Sequence, residues 1–320
     1  MRILVTGGAG FVGSHLCRAL LARGEEVVAV DSFATSSREV VQSLAGYPGF
    51  TFVEGDVCAR PPVQGGFDAI AHLACPASPD DYLRLPLETL AVGSYGSEFV
   101  LGLARDNHCR VLLASTSEVY GDPLERPQRE EYWGNVNPIG PRSVYDESKR
   151  YAEAMFMAHR RAGRVNTGIV RIFNTYGPGL RPSDGRVVSN FVAQALSGEP
   201  LTIYGDGRQT RSFCYISDLV EGLFRMLMSC EAGPVNLGNP SEISIMELAG
   251  IILGLTGSAS VLEFRPAPPD DPTTRRPDIA KATALLDWVP TVPLADGLVR
   301  TIAWQRSLSP PAQVLERAEA

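Results

Sequence analysis

Glycines are concentrated between the first strand pattern and the first helix pattern of the chain, in "MRILVTGGAGFVGSHL". The apolar run 3–5 predicts a strand, and residues 11–23 predict an amphipathic helix. Gly7, Gly10 and Gly13 give the spacing GxxGxxG, and Gly8 in place of Gly7 gives GxGxxG. Glycines here let a pyrophosphate approach the backbone, where the N–H groups at the helix start hold it. A Gly-rich stretch can be only a turn, but the strand-turn-helix context favours a dinucleotide-binding α/β fold.

An acidic residue ends the second predicted strand, which covers residues 27–30. Asp31 follows the glycines at about the 20-residue distance typical of ribose recognition. A carboxylate there repels a 2′-phosphate, so the pattern predicts NAD rather than NADP; a solvated strand end is the alternative. Asp56, after the third strand, could accept a hydrogen bond from the adenine amino group or could be a plain turn residue.

Apolar runs alternate with helical patterns through the first half of the chain, which predicts a parallel sheet covered on both faces. The predicted class is α/β: a Rossmann-like doubly wound parallel sheet in an NAD-binding domain (1–170) and a smaller C-terminal α/β substrate-binding domain (171–320). The chain can cross between the two. We expect a loop at the Pro-rich stretch 265–278 and a frayed tail after about residue 307. Further strands are predicted at 50–53, 69–73, 111–114, 167–171 and 201–204, and helices at 87–105, 143–162, 187–196, 219–228 and 245–255.

Composition excludes several classes of protein. A net charge of -7 without blocks of like charge argues against a nucleic-acid surface. No apolar run reaches the roughly 18 residues of a transmembrane helix, and no signal peptide is evident, so we expect no membrane association and a cytoplasmic location. The six scattered cysteines predict reduced thiols, and the four histidines lack ligand spacing, so no metal site is predicted.

Tyr145 and Lys149 in "SVYDESKR" lie one helical turn apart, on the same face of a predicted helix. A packed tyrosine beside a surface lysine would give the same pattern. However, the chain has only two lysines, and no other tyrosine is followed by lysine at this spacing. An ammonium and a cationic nicotinamide would both favour the phenolate of Tyr145, which could then take a proton from a substrate hydroxyl during hydride transfer. The pair therefore predicts an oxidoreductase centre.

Polar side chains follow the predicted strand 111–114, in the run "STSE" at 115–118. Burying such groups without partners would cost roughly 1–3 kcal/mol each. Ligands of doubly wound sheets bind beyond the carboxyl ends of the strands. We therefore expect these side chains to face a substrate.

Several long motifs resemble one known family. They include "HLACPASP" (72–79), "STSEVYGDPLERPQ" (115–128), "YWGNVNPIGPRSVYDESKR" (132–150), "RIFNTYGP" (171–178), "YGDGRQTRSF" (204–213) and "DDPTTRRPDI" (270–279). The chain resembles the extended short-chain dehydrogenases/reductases of the nucleotide-sugar epimerase/dehydratase group, and within it the UDP-glucuronate decarboxylases (UDP-xylose synthases). The resemblance implies oxidation of C4 of UDP-glucuronate, loss of CO₂ from the 4-keto acid, protonation at C5 and re-reduction to UDP-xylose. It also implies a homodimer joined through the helices near 87–105 and 143–162.

The resemblance also implies roles for individual residues. Thr116 hydrogen-bonds the C4 oxygen, Ser117 and Glu118 belong to the catalytic set with Glu118 in proton handling, and Arg275 closes over the site from the Pro-rich loop. Without the resemblance, Arg275 would read as a solvated loop residue. Asn174, Arg186, Tyr204, Gln209 and Arg211 match segments that hold UDP. The residues implied to contact NAD are Gly7, Gly10, Phe11, Val12, Gly13, Asp31, Ser32, Asp56, Val57, Leu73, Ala74, Tyr145 and Lys149.

Departures from the family pattern leave alternatives open. Ala91 and Gly93 stand where the family usually has lysine and asparagine, which weakens one expected substrate contact. Arg38 near Asp31 leaves some room for NADP. A 4,6-dehydratase usually has an aspartate where this chain has Ser117, and a 4-epimerase usually lacks the glutamate. An oxidase that releases a 4-keto pentose and a non-catalytic NAD-binding sensor are further rivals.

Overall fold

A parallel sheet of seven strands forms the centre of the molecule. The structure, a computed structural model, describes residues 1–63, 65–182, 184–268 and 270–308. Within them, the strand order is β11-β6-β5-β4-β1-β2-β3, with every neighbouring pair parallel. These strands are β1 (Arg2–Thr6), β2 (Glu26–Asp31), β3 (Phe50–Glu54), β4 (Ala69–His72), β5 (Arg110–Thr116), β6 (Asn166–Ile172) and β11 (Val235–Leu237). The Rossmann-like α/β class predicted from the sequence is confirmed.

Helices cover both faces because the side chains of the central strands alternate between two cores. Ile3 and Val5 of β1 join one apolar cluster, and Leu4 between them joins the other. In the first half, the helices are α1 (Phe11–Ala22), α2 (Arg38–Gln42), α3 (Pro79–Arg84), α4 (Pro86–Ala91), α5 (Ser97–Asp106) and α6 (Ser143–Arg161). A π-helical turn at Val92–Gly96 joins α4 to α5, so the helix expected at 87–105 is continuous in the structure.

Three small sheets lie in the second half of the chain. β7 (Thr175–Tyr176) pairs with β10 (Cys214–Tyr215), β8 (Leu201–Tyr204) pairs with β13 (Leu262–Arg265), and β9 (Thr210–Ser212) lies between β12 (Glu242–Ser244) and β14 (Thr274–Arg275). The helices here are α7 (Val187–Ser197), α8 (Ile216–Met228), α9 (Ile245–Thr256), α10 (Ala280–Leu286) and α11 (Leu294–Leu308). The domain boundary near residue 170 stays a prediction; β11 of the second half adds to the large sheet.

The expectation that 265–278 is loop throughout is wrong at Arg265, the last residue of β13, and at β14. Thr274 and Arg275 pair in parallel with Thr210 and Arg211 of β9, and the Ser212 hydroxyl donates to the Arg275 carbonyl at 3.1 Å. The edge of β9 thus provides backbone hydrogen-bond partners for the Pro-rich segment. The composition of the segment does not reveal these partners. The frayed tail expected after about residue 307 lies outside the described residues, apart from Leu308 at the end of α11.

None of the helices in the described ranges is long and apolar enough to cross a membrane.

Candidate active site

The glycine turn after β1 packs so closely against neighbouring strands that it excludes side chains. The Gly7 N–H donates to the Val30 carbonyl at 2.8 Å, with Gly7 at a φ of +71°. A Cβ on Gly7 would lie 2.7 Å from the Ala74 nitrogen, and a Cβ on Gly13 would lie 2.0 Å from the Gly7 carbonyl oxygen. Glycine is therefore required at both positions. The turn leads directly into α1, so the residues present fit the pyrophosphate of a dinucleotide.

Two cavities of about 180 Å³ each flank this turn. Together with the neighbouring cavity around Tyr145, these two cavities are lined by every residue that the resemblance implies to contact NAD. The individual contacts with NAD stay predictions. The residues that border them are Gly7, Gly10, Phe11, Val12, Gly13, Asp31, Ser32, Asp56, Val57, Leu73, Ala74, Tyr145 and Lys149.

The Asp31 carboxylate organises the loop beside the glycine turn. It accepts hydrogen bonds from the Ala9 N–H at 3.0 Å, the Phe33 N–H at 2.9 Å and the Ser36 hydroxyl at 2.8 Å. A solvated strand end would not collect three donors. Arg38, the residue that left room for NADP, makes a two-fold ion pair with Glu54 at 2.7 and 2.8 Å. Its guanidinium is therefore already neutralised, in agreement with NAD specificity.

Tyr145 and Lys149 lie on the first turns of α6 and face the carboxyl end of β5. The Lys149 ammonium donates to the Ala114 carbonyl at 2.9 Å and lies 5.9 Å from the centroid of the Tyr145 ring. Both side chains are buried, which excludes the alternative of a surface lysine. Thr116 and Ser117, at the end of β5, border the same cavity of about 130 Å³.

The polypeptide alone does not lower the pKa of Tyr145. Burial raises the pKa of this phenol above its usual value, and the Thr116 side chain opposes the shift. The expected help from Lys149 is not seen, because its ammonium is directed to the Ala114 carbonyl. A further positive charge is needed before Tyr145 can act as a base near neutral pH.

Glu118 is held between two arginines at the edge of this cavity. Arg142 donates to Glu118 Oε2 at 2.8 Å, and Arg275 binds both carboxylate oxygens, with one nitrogen 2.9 Å from Oε2. Burial opposes ionisation of Glu118, but the two guanidinium groups outweigh it and hold its pKa well below the usual range. Glu118 is thus an ionised carboxylate, and Arg275 is a buried partner rather than a solvated loop residue.

Arg142 and Asp271 are site residues that the sequence analysis missed. Asp271 accepts from Arg142 at 3.3 Å and from Arg211 at 2.9 Å, so one aspartate joins the arginine on Glu118 to the arginine matched to UDP binding. Both lie in motifs quoted above, "GPRSVY" and "DDPTTRRPD". The arginine and aspartate of these motifs were the only sequence signal for the contact. Arg142 and Asp271 are 129 positions apart in the chain and share no periodic pattern, so their contact was not predicted.

Of the five residues matched to UDP binding, Arg211 bonds Asp271, and the other four fall into two groups. Asn174 and Arg186 border the cavity of Tyr145, and Arg186 donates to the Ala77 carbonyl at 2.9 Å. Tyr204 and Gln209 lie together outside the lining of that cavity, with the Gln209 amide donating to the Tyr204 carbonyl at 2.6 Å. Their contacts with UDP stay predictions.

The departures at Ala91 and Gly93 lie at the end of α4 and in the π-helical turn that follows it. Ala91 borders the cavity of Asp31 and Asp56, rather than that of Tyr145. A Cβ on Gly93 would lie 2.6 Å from the Ser148 carbonyl, so the π-helical turn packs tightly against α6. The effect of the missing lysine on substrate binding stays a prediction.

Two of the four histidines have structural contacts. His72 Nδ1 lies 2.8 Å from the Thr6 hydroxyl, and burial lowers the pKa of His72 to about 3. His15 Nε2 lies 2.8 Å from the Pro178 carbonyl. In the described part of the chain, no group of three His, Cys, Asp or Glu side chains could hold a metal ion.

A glycine turn with an aspartate at the end of the next strand, and a buried Tyr-Lys pair at the carboxyl ends of a parallel sheet, define a class of NAD-dependent enzymes. The model of the NAD dependent epimerase/dehydratase family matches residues 3–238, and the chain belongs to this family. Among curated relatives, UDP-glucuronic acid decarboxylase 1 of Arabidopsis thaliana is 51% identical over 95% of this chain and 69% of its own. UDP-glucuronic acid decarboxylase 1 of Xenopus tropicalis is 52% identical over 95% of this chain and 72% of its own.

Solved structures share the fold closely. UDP-glucuronic acid 4-epimerase from Bacillus cereus, in complex with UDP-glucuronic acid and NAD, superposes with a TM-score of 0.86. It is 29% identical and covers 97% of this chain and 100% of its own.

Proposed function

We propose that this chain decarboxylates UDP-glucuronate to UDP-xylose, with NAD as a cofactor that is not consumed. The observation that carries the proposal is the ionised Glu118, clamped by Arg142 and Arg275 beside the Tyr145–Lys149 pair. The pair provides proton transfer at a sugar hydroxyl, and the clamp adds a charged group that hydride transfer alone does not require. The decarboxylase relatives at about half identity support the same activity.

At C4, the residues of this chain prepare the sugar hydroxyl for oxidation. Tyr145 takes the hydroxyl proton, Thr116 holds the oxygen, and Lys149, anchored on the Ala114 carbonyl, keeps a positive charge 5.9 Å from the centroid of the Tyr145 ring. NAD, when bound on the glycine turn, supplies the hydride acceptor and the positive charge that favours the Tyr145 phenolate. Burial excludes water from this proton transfer.

At C5, the carboxylate of the substrate becomes β to a ketone, which can accept the electron pair that CO₂ leaves behind. A bare Glu118 at about 4 Å from that carboxylate would repel it by roughly 4 kcal/mol at an effective dielectric of about 20. Arg142 and Arg275 remove this repulsion by neutralising Glu118 from two sides. Glu118 can therefore remain ionised next to an anionic sugar.

The diphosphate is best accommodated by arginines of the second half of the chain. Arg186 borders the Tyr145 cavity, and Arg211 is linked to the Glu118 cluster through Asp271. A guanidinium fork matches phosphate oxygens in geometry and charge.

Product analysis separates this proposal from its rivals. Incubation with UDP-glucuronate and NAD⁺, followed by NMR, is expected to give UDP-xylose and CO₂. UDP-galacturonate would indicate an epimerase, and a 4-keto pentose with an equivalent of NADH would indicate net oxidation. No turnover would favour a sensor, which the buried Tyr145–Lys149 pair and the clamped Glu118 argue against. A 4,6-dehydratase is disfavoured because Ser117 is a far weaker acid than the aspartate usual there.

We further propose that two chains associate through α6 and the helix run from Pro86 to Asp106. Leu87, Tyr95 and Tyr151 of these elements are 75, 66 and 53% exposed, which is high for large apolar side chains of adjacent helices. Tyr95→Glu with Tyr151→Glu should convert a dimer to a monomer in light scattering. Leu124→Glu, at an exposed loop residue outside this surface, is the control. A monomeric wild-type protein would contradict the proposal.

A further inference from the structure

Two segments that are distant in sequence border the cavity at the start of α1, together with the glycine turn. One is the chain 77–81, which leads into α3. The other follows β7 and contributes Gly179, Arg181, Asp184 and Arg186. Because the glycine turn in this cavity fits the pyrophosphate of NAD, contacts between the two segments bear on how the cofactor is exchanged.

An ion pair joins the two segments. Arg181 donates to Asp81 Oδ2 at 2.5 Å, and the Ser78 hydroxyl donates to the same oxygen at 2.9 Å. A second link is the hydrogen bond from Arg186 to the Ala77 carbonyl at 2.9 Å. Two arginines after β7 therefore hold the segment that leads into α3.

These links complete a closed ring of contacts through the elements that border the cavity. His15 Nε2 of α1 lies 2.8 Å from the Pro178 carbonyl, which connects α1 to the chain after β7. The Leu73 N–H donates to the Thr6 carbonyl of β1 at 3.1 Å, which connects the chain before α3 to β1. The glycine turn joins β1 to α1 and closes the ring. Every link in this ring is a contact of the protein with itself.

The charges of these side chains show what the arginines do. Asp81 and Asp184 are buried and border the cavity, where unpaired carboxylates would repel an anionic cofactor. Arg181 neutralises Asp81, and Arg186 Nε lies 3.3 Å from Asp184 Oδ1. The four side chains together carry no net charge. Arg181 therefore serves the link between the segments rather than acting as a free phosphate ligand.

The Arg181–Asp81 link is one that can open. The Arg181 side chain is 41% exposed, so water can replace Asp81 around its guanidinium. Ion pairs with an exposed partner are weak and break readily. We propose that Arg181 and Asp81 form a gate for cofactor exchange, which must break during entry and release of NAD and re-forms afterwards. The inference goes beyond the proposed function, because it concerns NAD exchange whichever sugar is converted.

A gate changes rates rather than affinity. If the pair hinders passage in both directions, its loss should raise the association and dissociation rate constants of the cofactor together. Their ratio, the Kd, should then hardly change. A side chain that only binds the cofactor would instead change the Kd.

Stopped-flow fluorescence with NADH as the probe tests the gate. Mixing with NADH gives the association rate constant, and displacement by excess NAD⁺ gives the dissociation rate constant. Arg181→Ala and Asp81→Asn should each raise both constants about fivefold, the size expected for loss of a partly exposed ion pair, and change the Kd by less than about twofold. Arg84→Ala should leave both constants unchanged, because Arg84 binds Asp81 at 3.0 Å from within α3 and joins no second segment.

Asp81→Asn separates a gate from a direct contact with the cofactor. If Arg181 bound the pyrophosphate directly, its release from Asp81 would slow dissociation of NADH, and Arg181→Ala would raise the Kd. Either result would overturn the proposal, as would unchanged rate constants in Arg181→Ala. Because the Arg181 side chain is partly exposed, Arg181→Ala remains informative if Asp81→Asn does not fold. The proposed function is tested separately, by product analysis.

Discussion

Arg142 donates to Glu118 at 2.8 Å with one guanidinium nitrogen and lies 3.3 Å from Asp271 with the other. This side chain therefore connects the turn after β5 to the Pro-rich segment, from which Arg275 also reaches Glu118. Arg275 is thus not the only arginine on Glu118, because Arg142, itself bound to Asp271, binds the same carboxylate. Glu118 owes its ionised state to this arrangement.

Arg142→Lys should impair catalysis although the positive charge is kept, because an ammonium cannot form the fork that binds two carboxylates. We expect kcat to fall by about tenfold or more, equivalent to roughly 1.4 kcal/mol of barrier. The pKa of Glu118 is lowered by Arg142, so the acidic limb of kcat/KM should move to higher pH in the variant. Arg129→Lys, in an exposed pair with Glu125, is the matched control. An unchanged pH profile would show that Arg142 does not tune Glu118.

Tyr145→Phe should abolish oxidation at C4, because it removes the hydroxyl that takes the substrate proton. Stopped-flow absorbance of the nicotinamide after mixing with UDP-glucuronate measures this step. Activity within about tenfold of wild type, or roughly 1.4 kcal/mol of barrier, would contradict the assigned role.

Gly13→Ala should lose NAD binding, because the added Cβ would lie 2.0 Å from the Gly7 carbonyl oxygen and force the turn apart. Isothermal titration with NAD⁺ checks this expectation. Gly24→Ala is the control for replacing a glycine, since no atom lies within 4 Å of its added Cβ. We expect it to lose a modest amount of stability, because its φ is +79°. If Gly13→Ala binds NAD⁺ as wild type does, the turn is not the pyrophosphate site.

Asp146→Asn should change how stability depends on pH. The pKa of Asp146 in the folded protein, about 7, lies above the ordinary aspartate value of 3.8, so the folded state binds the proton more tightly. Wild type therefore loses stability as the pH rises between these values, and the asparagine variant does not. Between pH 5.5 and 8.5 the variant should gain about 2 kcal/mol relative to wild type in urea unfolding. Parallel stability curves would contradict the raised pKa.

The parts of the molecule that follow a repeating pattern were predictable from the sequence. The strand-glycine-helix start, Asp31 and the Tyr145–Lys149 spacing are local signals, and the structure places them together. The ion-pair network was not predictable, because Glu118 and Arg275 are 157 residues apart and meet only when β14 pairs with β9. The cytoplasmic location remains a prediction.

Carbon balance with UDP-glucuronate labelled with ¹³C at C6 tests the central claim most directly. With a sub-stoichiometric amount of NAD⁺, the account predicts one labelled CO₂ and one UDP-xylose for each substrate consumed, without net formation of NADH. Label retained in a uronic-acid product, or one NADH for each CO₂ released, would contradict it.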